Sequence, residues 1–157
     1  MQAESTPTLD LKETAANEDL YHRSNLTRMQ MLYWTGYQLR PDVPLYAAPL
    51  VFTLPLAIDG ALFKTAVQSV INQSDALRTI LYMEHGVPRQ MVQPQFEAPL
   101  LYRDFSGAEN PKQQASAWLL QIAQTPFDAS VSLVQFALAK IDPENYAWLL
   151  NQHHIIA

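Results

Sequence analysis

Apolar residues recur at two different spacings along this chain, and together these spacings predict an α+β fold. Three stretches have apolar residues three and four positions apart, which is the pattern of one face of an α-helix. Asn25 or Thr27 can cap the first of them, in which Met29, Leu32 and Tyr33 are predicted to pack on the core. The three predicted helices lie at about 27–39, 59–74 and 110–125.

Between the helices lie short runs that are rich in strand formers and bounded by turn residues. Gly86, in the short loop 84–88, indicates a hairpin, and the turn at 141–145 predicts an antiparallel strand pair. Pro49 and Pro55 suggest that the first strand lies at a sheet edge. Strands are predicted at about 48–56, 77–83, 89–93, 100–104, 132–140 and 146–153.

Composition divides the chain into a tail and one domain. Residues 1–22 are polar and acidic, so we predict a tail or linker there, with one short helix at 10–20. Among the 157 residues, 48% are hydrophobic, 16% are charged and three are tryptophan, which is typical of a folded protein. We therefore predict that residues 23–157 form a single domain.

Charge and cysteine content exclude several classes of function. The net charge of −5, without a cluster of lysine and arginine, leaves nothing to neutralise a nucleic-acid backbone. The sequence contains no cysteine, which excludes disulfides and thiolate catalysis within this chain. There is no apolar run of about 20 residues and no signal-peptide pattern at the start, so we expect no membrane span and a cytoplasmic location.

The candidate chemistry lies at the end of the sequence, where an apolar strand leads into His153 and His154. Successive side chains of a strand point to opposite faces, so only one of the two histidines can face a given cleft. This argues against a metal site, which needs several converging ligands, and favours one working imidazole with a supporting neighbour. An imidazole changes charge near pH 6.5 and suits proton transfer. A buried strand histidine bonded to backbone is the alternative.

Three stretches resemble the condensation-domain family of nonribosomal peptide synthetases. Residues 26–34 (LTRMQMLYW) are similar to the opening motif, with its glutamine and nearby aromatic residue. Residues 75–79 (DALRT) are similar to the core of Arg-His-Glu-x-Leu-Arg-Thr-x-Phe. Residues 153–157 (HHIIA) match the first five positions of His-His-x-x-x-Asp-Gly. The three occur in the family's order, and the resemblance covers residues 26 to 157.

The sequence departs from the family pattern in two ways. Gln73, Ser74 and Asp75 stand where Arg, His and Glu are usual, and Leu81 replaces Phe. The chain also stops before the Asp-Gly of the last motif. The resemblance implies the first of the two lobes of a chloramphenicol-acetyltransferase-like fold, with a mixed or antiparallel sheet and helices packed on one side. We expect this lobe to be inactive alone.

The resemblance also implies the chemistry and the partners. Family members join two thioester-bound substrates, each held on the phosphopantetheine arm of a carrier protein, and bind no cofactor directly. His154, matching the second histidine, would take the proton of the attacking amine or hold the amine in line. His153 would support it, and Arg78 would be a buried structural charge or, alternatively, an exposed residue at a strand edge.

Two rival interpretations remain. A stand-alone acyltransferase of the same superfamily, which makes esters, uses the same histidine motif. A non-catalytic docking or scaffold lobe with a structural histidine pair is the other. Carrier and adenylation domains beside this chain would favour the synthetase.

Overall fold

The computed structural model describes residues 20–157. Only the last residues of the predicted tail at 1–22, and only residue 20 of its predicted helix at 10–20, fall in this range. The helices and strands are, in chain order, α1 (Arg28–Leu39), β1 (Ala47–Leu54), α2 (Gly60–Gln73), β2 (Thr79–Glu84), β3 (Val87–Val92), β4 (Leu100–Asp104), α3 (Pro111–Ala123), β5 (Val134–Asp142) and β6 (Asn145–His153). There are also two short 3₁₀ turns, at Ala76–Arg78 and His154–Ile156.

Four of the strands form one mixed sheet, in the order β1-β6-β5-β4. β6 is antiparallel to both β1 and β5, whereas β4 is parallel to β5. β2 and β3 form a separate antiparallel hairpin. The α+β class, the hairpin and the antiparallel pair β5–β6 are confirmed. Among the described strands β1 is at one edge, as Pro49 predicts.

Helices cover both faces of the sheet, so the expectation of helices on one side only is wrong. α3 packs on the face that carries Ala137, Ala139 and Leu149. α2 packs on the opposite face, which carries Val134 and Phe136. The physical reason is that β5 is apolar at successive positions, and a strand of this kind must be covered on both sides.

Helix α1 buries only part of the face that its sequence predicts: Tyr33 packs against the core, but Met29 and Leu32 do not. Met29 and Leu32 are 58% and 61% exposed, whereas Trp34 is 8% exposed. Met31 and Tyr37 pack beside Trp34 in the same cluster. Apolar residues lie on several sides of this helix, and the face with the large indole is the one that is buried.

None of the helices in the described part of the chain has the length and apolarity that a bilayer crossing requires.

Candidate active site at the end of β6

The two adjacent histidines lie where β6 ends and the chain turns. Strand pairing stops at His153, and residues His154–Ile156 form a 3₁₀ turn in which the Ala157 N–H donates to the His154 carbonyl at 3.2 Å. We call this segment, residues 153–157, the histidine turn. Strand alternation therefore ends one residue before His154. The two side chains still differ completely in environment, since His153 is 3% exposed and His154 is exposed.

His153 is enclosed by aromatic rings. Tyr37, Tyr46 and Phe127 meet its imidazole edge-on, with ring centroids 5.8–6.0 Å away. Its Nδ1 accepts a hydrogen bond from the Ile155 N–H at 3.1 Å. Burial, and secondly the neighbouring His154, lower the pKa of His153 to about 4. At neutral pH the ring is uncharged with its proton on Nε2, and its Nδ1 is bonded to a backbone group of the histidine turn.

His154 presents its imidazole at the surface. Its backbone N–H donates to the Tyr46 carbonyl at 2.9 Å. Its ring stacks on Tyr33, with centroids 6.1 Å apart and planes at 20°. Tyr33 in turn packs edge-on against Tyr46 at 4.9 Å. The backbone of His154 is thus anchored and one face of its ring lies against Tyr33, while the rest of the imidazole is open to solvent.

Helix α1 comes close to Tyr46 at Gly36. A Cβ atom at position 36 would lie 2.8 Å from Cε2 and Cζ of the Tyr46 ring, and closer still to its hydroxyl. Only glycine allows this approach without moving the tyrosine. Sequence reasoning missed Tyr46, Tyr37 and Gly36 as parts of the site, because nothing local in the sequence indicates that they meet the histidines.

Arg78 lies at the end of a 3₁₀ turn, since β2 begins only at Thr79 and not at 77 as predicted. Its side chain is 14% exposed, and Nη2 pairs with Asp75 Oδ1 at 2.6 Å. Nη1 donates to the Gln93 carbonyl, also at 2.6 Å. These bonds link the 3₁₀ turn to the end of the hairpin, and none of them reaches the histidine turn.

Other parts of the described chain offer less chemistry. A cleft of about 200 Å³ between α2 and β6 is lined by apolar side chains alone, among them Phe63, Phe136 and Trp148. Within residues 20–157 no group of three or more histidine, aspartate and glutamate side chains could hold a metal ion. The histidine turn is therefore the best candidate for a reactive centre among the described residues.

Comparison with known proteins gives the same family as the three sequence motifs. The Condensation domain family model matches residues 21–157. Isonitrile lipopeptide synthase of Streptomyces coeruleorubidus is 32% identical over 139 residues, which are 87% of this chain and 10% of the synthase. Dimodular nonribosomal peptide synthase of Bacillus subtilis (strain 168) is 28% identical over 132 residues, which are 83% of this chain and 6% of that protein.

The fold has close solved counterparts. A variant of the starter condensation domain of rhizomide synthetase, in complex with C8-CoA, superposes with a TM-score of 0.78 at 27% identity. The match covers 84% of this chain and 31% of that domain, so the chain spans about a third of the solved counterpart. With the family model matching nearly the whole described chain, this chain belongs to the condensation-domain family of nonribosomal peptide synthetases.

Proposed function

We propose that residues 23–157 are the first lobe of a condensation domain that forms an amide bond, and that residues 1–22 are a tail or linker. The donor is an acyl thioester and the acceptor is an amine, each delivered on the phosphopantetheine arm of a carrier protein. One observation carries the proposal: family membership coincides with an exposed imidazole, that of His154, held at the end of a buried strand.

The reaction is a nucleophilic acyl transfer. The amine nitrogen attacks the thioester carbonyl carbon, a C–N bond forms, the C–S bond breaks, and the carrier thiol leaves. In this scheme His154 accepts the amine proton or aligns the amine, and the proton ends on the departing sulfur. General base catalysis contributes typically 10²–10⁴-fold, and positioning can contribute as much.

A thioester donor fits what is known of the structural relatives. A variant of the starter condensation domain of rhizomide synthetase has been solved in complex with C8-CoA, and acyl-CoA compounds in general are thioesters. We extend this class of donor to the present chain, and we assign no directly bound cofactor. The partners in this proposal are the carrier proteins and the second lobe of the domain.

His153 serves as a positioning residue in the proposal. It is uncharged at neutral pH, and it accepts the Ile155 N–H within an aromatic enclosure. Arg78 supports the lobe at a distance from the histidine turn, through Asp75 and Gln93.

The first prediction concerns His154 in the complete condensation domain supplied with both loaded carriers. His154→Ala should lower the rate of amide formation by roughly 10²–10⁴-fold. Because the side chain is exposed, the melting temperature should change little. Single-turnover assays with product detection by mass spectrometry measure the rate.

His85→Asn is the matched control, since His85 is also exposed and Asn tolerates its positive φ of 50°. This control should keep the wild-type rate. A His154→Ala domain that forms amide at the wild-type rate would overturn the proposed role of His154.

A further inference from the structure

The histidine turn is fastened to a residue from the other end of the described chain. The carbonyl of Ile155, next to His154, accepts a hydrogen bond from Gln30 Nε2 at 3.2 Å, across 125 positions of sequence. The N–H of Ile155 donates to His153 Nδ1. Both backbone polar groups of Ile155 therefore bond to side chains, and the bond from Gln30 joins Ile155 to helix α1.

The amide of Gln30 has a defined orientation. Its Oε1 accepts the Thr27 N–H at 2.9 Å, while Thr27 Oγ1 accepts the Gln30 N–H at 3.2 Å, which together form a capping box. Because the Thr27 N–H needs an acceptor, the oxygen must face Thr27 and the nitrogen must face Ile155. One side chain thus has two separable functions: its oxygen caps α1 and its nitrogen holds the histidine turn.

The hairpin keeps Gln30 in place. Gln90 of β3 pairs with it amide to amide, with N–O distances of 3.0 and 3.2 Å. Gln90 is itself held by Asn25, whose side chain bonds the Gln90 backbone N–H and carbonyl at 2.8 Å each. With Thr27, Gln90 and Ile155 as partners, both amide protons of Gln30 are used, and the side chain has little freedom to turn.

We propose that Gln30 is a positioning residue for the reaction: its bond to the Ile155 carbonyl sets the orientation of the histidine turn and hence the direction of the His154 imidazole. This inference rests on the proposed function, in which His154 meets the acceptor amine. A reacting group misplaced by about 1 Å can cost about 10²-fold in rate, so one lost hydrogen bond at this point can reduce catalysis without unfolding the lobe.

Gln30→Glu separates the two functions of the side chain. Glutamate keeps the oxygen that caps Thr27, and glutamate is a good residue at this position of a capping box. As a carboxylate it has no proton to donate to the Ile155 carbonyl or to Gln90 Oε1, and it repels the Ile155 carbonyl. Thr27→Ala is the matched control, because it weakens the cap and leaves the Gln30 nitrogen in place.

In the complete condensation domain with loaded carriers, we expect Gln30→Glu to lower kcat roughly 10- to 100-fold, with little change in KM. Thr27→Ala should stay within about twofold of wild type, although its melting temperature falls slightly. Hydrogen exchange followed by mass spectrometry should show roughly tenfold faster exchange of the histidine turn in Gln30→Glu than in Thr27→Ala, because the hydrogen bond to the Ile155 carbonyl is lost.

Equal losses of kcat in the two variants would overturn the inference, since Gln30 would then act only as a cap. Unchanged exchange of the histidine turn in Gln30→Glu would also overturn it. If His154→Ala kept the wild-type rate, the proposed function would fail, and the exchange measurement would still decide whether Gln30 holds the turn.

Discussion

At the scale of single residues, the packing of Gly36 against Tyr46 contradicts what helix propensity alone would predict. Alanine is the better helix former by about 1 kcal/mol, so Gly36→Ala should stabilise an isolated helix. Here the added methyl group meets the Tyr46 ring, which cannot easily move, because Tyr33 and His153 pack against it at 4.9 and 5.8 Å.

We therefore predict that Gly36→Ala lowers the free energy of unfolding of the complete domain by roughly 1–3 kcal/mol. It should also reduce the rate of amide formation, since the Tyr46 carbonyl anchors His154. Gly60→Ala, at the first position of α2 with open space around it, is the control and should leave stability unchanged or slightly raised. Chemical denaturation measures both variants, and equal stability of the two would argue against the steric explanation.

At the scale of elements, the orientation of α1 decides where the histidine turn can attach. The helix buries Trp34 and leaves Leu32 exposed, and this rotation directs Gln30 towards Ile155. Met31 and Tyr37 extend the buried side of the helix next to Trp34. The core contacts of α1 thus determine the position of a residue that the site uses.

Two truncations test this orientation. Trp34→Ala should cost roughly 3–5 kcal/mol of unfolding free energy, because it removes a buried indole. Leu32→Ala should cost less than about 0.5 kcal/mol, since the side chain is 61% exposed. Thermal melting of the complete domain measures the difference. A larger loss for Leu32→Ala would mean that α1 faces the core as its sequence pattern predicts.

At the scale of the whole molecule, the buried His153 links the stability of the lobe to pH. Its pKa in the folded state is about 4, below its ordinary value of 6.5, so the unfolded chain takes up the proton first. The stabilisation from keeping this ring neutral is complete above pH 6.5, and it is lost as the pH falls from 6.5 towards 4. Hydrogen bonds from Ser106 and Lys140 lower the pKa of Asp104 to about 2. The contribution of this aspartate to folding stability is therefore lost only at a lower pH than that of His153.

We expect the unfolding free energy of the complete domain to fall by roughly 2–3 kcal/mol between pH 6.5 and pH 4 because of this residue. His153→Gln removes the titrating ring and keeps an acceptor for the Ile155 N–H. Urea denaturation at a series of pH values should show a shallower slope in that variant over this range. The same slope in both proteins would mean that His153 is protonated equally in the folded and unfolded states.

Many of the helices and strands can be predicted from the sequence, because the spacing of apolar residues within one element depends only on that element. The hairpin and the pair β5–β6 were predictable from spacing and turn residues, and Thr27, which caps α1, was one of the two candidate caps. The buried side of α1 was not, since Met29, Met31, Leu32 and Trp34 lie on several sides of the helix. The covering of both sheet faces was also missed, because it depends on where α2 and α3 pack.

The candidate site was predictable only in part, for a related reason. The histidine pair is visible in the sequence, and Gln30 lies in residues 26–34, another stretch that resembles a motif of the same family. The contact between Gln30 and Ile155 spans 125 positions, and no local pattern encodes a hydrogen bond over that distance. The roles of His154, His153 and Arg78 remain predictions for the experiments above.

The hydrogen bond between Gln30 and Ile155 also bears on how the lobe folds. During translation α1 is synthesised first, and the histidine turn follows more than a hundred residues later. Gln30 therefore cannot bond to Ile155 until most of this segment has been synthesised. Closing so large a loop is entropically costly, and it becomes favourable only once the intervening sheet has brought the ends together. We therefore expect the histidine turn to be among the last parts of the lobe to become ordered, after the sheet has formed.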